Sequence, residues 1–139
     1  WKGATLRELQ TPGTVTNSRA NDIAPQGRIC ATLSLSGQQN KGFVWQSSTS
    51  EQAELTLLSY GDRYTEANGL NQEGFVVGNS GGYATISKNG ITVDLNRLLP
   101  AGAGWVLQNA LSISNSGYIT GNGRPDGANS SRAFLLKPR

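Results

Sequence analysis

The stretch GNGRPDGANSSR, Gly121 to Arg132, gathers the residue types best suited to holding a ligand. Asp126 and Asn129 carry oxygens of the kind that bind a hard cation such as calcium, but such sites take roughly 6–8 oxygen ligands. Arg124 and Arg132 carry guanidinium groups suited to a carboxylate or an acidic sugar. Read without a ligand, the same stretch is the longest polar hairpin loop of the chain. Asn129-Ser130-Ser131 also fits the N-glycosylation sequon.

Catalytic chemistry finds much less. The chain has no histidine and one cysteine, Cys30. A Ser-His-Asp triad, a His-ligated metal and a Cys-His pair are therefore impossible within it. Its nine carboxylates are dispersed over turns and alternating positions, whereas acid–base work needs titratable groups held together in one pocket. The expectation is a protein that is not an enzyme and needs no cofactor or metal. Cys30 lies in the strand-like run GRICAT, where a free cysteine behaves as a small buried hydrophobe.

Charge narrows the partners. Twelve Lys and Arg stand against nine Asp and Glu in 139 residues. The basic residues are scattered singly, not clustered as a nucleic-acid face requires. No apolar run approaches the roughly 20 residues that span a bilayer as a helix. Neither nucleic acid nor a membrane span is expected.

The elements that position these residues come in copies. ANDIAPQGRICAT (Ala20 to Thr32), ANGLNQEGFVVGN (Ala67 to Asn79) and ALSISNSGYITGN (Ala110 to Asn122) align without gaps. Each reads as a strand, a polar turn closed by Gly27, Gly74 or Gly117, and a second strand. Small residues at the far end, Ala31, Gly78 and Gly121, predict close approach of a neighbouring backbone. A third strand follows each hairpin: GFVWQ at Gly42, YATIS at Tyr83, AFLLK at Ala133. A fourth follows twice, AELTLLS at Ala53 and ITVDLNRLL at Ile91. The initial WKGATLREL matches SKNGITVDL in pattern. The period of about 45 residues is that of propeller blades and related arrays.

These motifs resemble the extracellular HAF-type repeat family of bacterial proteins, in which an A-x-G-I-N-x-x-G-x-V-V-G hairpin precedes an H-A-F-L-W strand and a D-L-G segment. ANGLNQEGFVVGN follows that hairpin and RAFLLKP that strand. The histidine is replaced in every copy, by Lys41-Gly42, Gly82-Tyr83 and Arg132. The resemblance covers nearly the whole chain, most closely 67–138. It implies a β-propeller-like scaffold and an extracellular or cell-surface location, with no common reaction.

The expected architecture is one all-β domain of three four-stranded units, approximately 20–66, 67–109, and 110–139 completed by 1–19. Three blades are fewer than the roughly four to eight of known propellers. The chain is thus expected to be half of a six-bladed ring or a segment of a larger propeller. A β-trefoil is the alternative, since it also closes with three four-stranded units. The expected function is a structural and interaction module that self-associates, as a dimer or a filament, and presents loops to a carbohydrate or cell-surface partner. Trp1 and Trp105 are the expected self-association residues, while Trp45, inside GFVW, is expected in the core. A lectin-like module is the second reading and a propeller hydrolase or lyase the third.

Overall fold

The structure, a computed structural model, describes residues 2–11, 15–46, 55–57, 60–61 and 63–139. Glu51, Glu54, Asp62 and Trp1 lie outside the described residues. The chain is all-β and forms three antiparallel sheets, each built from consecutive strands. The first holds β1 (Val15–Ile23), β2 (Ile29–Leu35), β3 (Lys41–Trp45) and β4 (Leu55–Leu57). The second holds β5 (Thr65–Leu70), β6 (Val76–Ser80), β7 (Tyr83–Lys88) and β8 (Ile91–Asp94). The third holds β9 (Trp105–Ile113), β10 (Ile119–Pro125) and β11 (Arg132–Leu136). Among the described residues the sheets close neither into a barrel nor into a ring of blades.

The three hairpins are alike down to single hydrogen bonds. Gly27, Gly74 and Gly117 donate to Ala24, Asn71 and Ser114, whose amides donate to the carbonyls of residues 28, 75 and 118. The glycines have φ of 82°, 84° and 82°, the left-handed conformation that this turn-and-bulge connection requires. Each first strand also carries one extra residue just after the aligned alanine: Asn21, Asn68 or Leu111. Such a bulge redirects its side chain away from the ladder.

That redirection joins the sheets. Asn21 Nδ2 donates to Ala67 O at 2.6 Å, and Asn68 Nδ2 donates to Ala110 O at 3.0 Å. The first and second sheets thus each reach from the bulge to the first strand of the next sheet. Apolar contacts follow the same order. Ala24, Cys30 and Val44 of the first sheet pack on Ala67, Leu70 and Val76 of the second. Val77 and Ala84 of the second sheet, with Leu95, pack on Leu107, Ala110, Ile113 and Ile119 of the third. The second sheet therefore has an inner face turned to the first sheet and an outer face turned to the third.

Two expectations are corrected. The third sheet has three strands, not four, because residues 2–11 belong to no strand and lie instead on the first sheet. Leu9 packs against its cluster of Ala31, Leu33, Phe43 and Trp45, and Gln10 O accepts from Trp45 Nε1 at 2.7 Å. The run ITVDLNRLL is also not one strand. It turns at Asp94, whose carboxylate accepts from Asn96 N at 2.8 Å, into a 3-10 helix, Leu95–Leu98. This places Leu95 in the core and lets the Asn96 amide pair with both backbone groups of Leu107.

Cys30 is fully buried as expected. Desolvation, and secondarily the Asp22 carboxylate, push its thiol up from 9.0 to about 12. Unfolded chain ionises near 9, so this contribution to stability is whole below that pH and is lost as pH rises toward 12. Wild type should therefore lose stability relative to Cys30→Ala between about pH 9 and 11, read by denaturant melts. Parallel pH profiles would refute the assignment.

Candidate interaction surface

The polar stretch singled out by sequence is only partly a loop. Arg124 lies within β10 and Arg132 opens β11, with the loop 126–131 between them. Arg132 pairs with Gly123 across the ladder. Asp126 N donates to Gly104 O at 2.8 Å, and Ser131 Oγ donates to Gln108 Oε1 at 2.6 Å. The loop is thereby tied to the start of β9. Arg124, Asp126, Asn129 and Arg132 are all exposed, and no hydrogen bond or ion pair joins their side chains among the described residues. No group of three or more His, Cys, Asp or Glu stands together as a metal site among the described residues.

Trp105 does not stand free. It is half-buried at the start of β9 and packs against the cluster between the second and third sheets. Trp45 is buried as expected. By ladder register its counterparts are Ser87 and Leu136, each opposite the residue matching Ile29, so no aromatic set recurs from sheet to sheet.

The turns do form a common rim. Arg28 donates to Asn71 O at 3.3 Å and Gln72 O at 2.6 Å. Asn71 Nδ2 donates to Ser114 O at 3.1 Å, and Gln72 N donates to Asn115 Oδ1 at 3.0 Å. A cleft of about 420 Å³ opens beside this rim between the first two sheets, lined by Arg28 and Lys88 among others. Lys88 Nζ sits 4.1 Å from the centroid of the Phe75 ring, a cation–π contact.

The surface that sequence reasoning missed is the outer face of the third sheet. On the first two sheets the matching positions are Cys30 and Val44, then Val77 and Ile86, all buried or half-buried under the next sheet. On the third they are Thr120 and Leu135, and Leu135 is 64% exposed. Leu111, at the bulge position, is 47% exposed, where Asn21 and Asn68 reach a neighbour. The signal lay in the aligned copies: a leucine replaces asparagine at one fixed position.

The opposite end is open in a complementary way. Ala67 and Ala110 are 0% exposed, but Ala20 in the same register is exposed, and Ile23 is 60% exposed. A groove runs along β1 there, lined by Val15, Asn17 and Ala20 on one side and Glu8 and Leu9 on the other. No helix is long and apolar enough to cross a membrane among the described residues. No family model, curated protein or solved structure matches the chain, so its likeness to the HAF-type repeats rests on the motifs alone.

Proposed function

We propose that this chain is a non-catalytic, extracellular structural and interaction module of the β-propeller type, which assembles with other copies through its blade-like sheets and presents loops for binding. One observation carries the reading: the outer face of the third sheet, with Leu111 and Leu135, is bare where the same face of the first two sheets is covered by the next sheet. An exposed apolar sheet face invites association. Two copies joined in sequence would supply six sheets, within the range of closed propellers. The rim of linked turns and the 126–131 loop are then the surfaces offered to a carbohydrate or cell-surface partner. The HAF-type motifs support the extracellular setting.

Light scattering over a concentration series tests this. Wild type is expected to reach at least the dimer mass, and Leu111→Asp/Leu135→Asp to need at least tenfold higher concentration to do so. Both side chains are exposed, so the variant should keep the wild-type circular dichroism. A wild type that stays monomeric throughout, or a variant that assembles as wild type does, would overturn the proposal.

A further inference from the structure

Three features of the molecule are incomplete, and one arrangement completes them all. Among the described residues the third sheet lacks the strand that β8 supplies to the second, so β11 has no neighbour on its outer side. Residues 2–11 belong to no strand, and Leu6 is 98% exposed. The inner face of the first sheet is open at Ala20 and Ile23.

The position of residues 2–11 is the informative part. Aligned by sequence, Lys2 to Leu9 match Lys88 to Leu95. Leu95 follows β8 and packs on the inner face of the sheet that comes next, among Leu107, Ala110 and Ile119. Leu9 packs on the inner face of the first sheet, among Ala31, Phe43 and Trp45. The following residue is docked in both cases, Asn96 on the Leu107 backbone and Gln10 on Trp45 Nε1. Leu9 and Gln10 therefore dock on the first sheet as Leu95 and Asn96 dock on the third, which leaves the exposed residues 2–8 where the last strand of a preceding sheet would run. Among the described residues the third sheet alone lacks such a strand.

Resting on the self-association proposed above, we infer that residues 2–9 of one copy form the fourth strand of the third sheet of a second copy, pairing antiparallel with its β11. The register follows from the second sheet, where Thr85 faces Asp94, Ile86 faces Val93, Ser87 faces Thr92 and Lys88 faces Ile91. Phe134 matches Thr85, since each lies opposite the aligned glycine, Gly121 or Gly78. Phe134 then faces Glu8, Leu135 faces Arg7, Leu136 faces Leu6 and Lys137 faces Thr5. The same docking brings the bare outer face of the third sheet onto Ala20 and Ile23 of the partner copy. The contact is head-to-tail, and an added strand satisfies an open edge through main-chain hydrogen bonds.

Cross-linking in register is the test. Leu6→Cys and Leu136→Cys are made separately, with the buried Cys30 left in place, and mixed with oxidised glutathione. Facing residues of an antiparallel pair lie about 4.5–5.5 Å apart, within disulfide reach. A cross-linked pair should form in the mixture at least tenfold faster than with either variant alone. It should also form at least tenfold faster than when Leu135→Cys replaces Leu136→Cys. In parallel, Thr5→Pro/Leu6→Pro removes ladder donors from an exposed segment, and should weaken assembly at least tenfold with unchanged circular dichroism.

Assembly of wild type without the in-register cross-link, or assembly of the double-proline variant as strong as wild type, would overturn the strand exchange while self-association stands. A Leu6→Cys/Leu136→Cys double variant that closes within one monomer would overturn it too, by placing the strand on its own third sheet. A wild type that is monomeric throughout and does not cross-link removes both readings together.

Discussion

Gly78→Ala is expected to cost roughly 3 kcal/mol of folding stability, the upper part of the range for overpacking a rigid site. A Cβ built at Gly78 runs into the carbonyl oxygen of Glu66, on the paired strand β5, well inside contact distance. The obstacle is backbone, held by its own ladder, so no side chain can swing aside. Gly121 meets the carbonyl of Asn109 in the same way. The first sheet supplies an internal control. Ala31 stands in the same register, opposite Ala20, and its methyl is accommodated there. Ala31→Gly should therefore lose only about 1–2 kcal/mol, through backbone entropy and lost burial. Urea melts of the two variants beside wild type decide it. A Gly78→Ala loss under about 0.5 kcal/mol would mean that β5 yields, and that close approach does not constrain this position.

Trp45→Ala should be at least as damaging, at about 3–5 kcal/mol for an aromatic removed from a packed core. Trp45 is almost wholly buried between β3 and the 2–11 segment, within the cluster of Ala31, Leu33 and Phe43. With domain stabilities of about 5–15 kcal/mol, the loss leaves little margin. Trp45→Phe separates packing from anchoring. It keeps most of the apolar area and loses only the Nε1 bond to Gln10 O, worth about 1 kcal/mol. That variant should melt close to wild type yet be cut by protease faster within residues 2–11. Unchanged cleavage would show that the indole bond does not hold the segment. Whatever frees this segment also bears on the strand exchange, because residues 2–9 are the strand that is shared.

Much of the fold was legible because its rules are local. The glycines closing the three hairpins are read from turn chemistry alone, and the structure gives all three the same φ and the same hydrogen bonds. The burial of Cys30 and Trp45 followed from their places in short apolar runs. The helical turn after Asp94 was not legible, because ITVDLNRLL alternates well enough to be read as one strand. Only the side-chain cap on Asn96 N marks where it bends. The polar stretch at 121–132 was overestimated as a loop for a related reason: GNGR has loop composition, but its glycines are selected by close packing against β9.

The sequence by itself determined that the chain is all-β and that its hairpin recurs three times. These are properties of periodicity and turn residues, which act over a few neighbours. Tertiary structure alone decided where the first residues go. Leu9 and Gln10 meet the first sheet at Leu33, Phe43 and Trp45, and among the described residues the third sheet has no fourth strand. It also decided that Leu111 and Leu135 form one bare face. A bulge and a ladder register bring together residues far apart in the chain, and neither leaves a mark that one copy of the repeat could reveal.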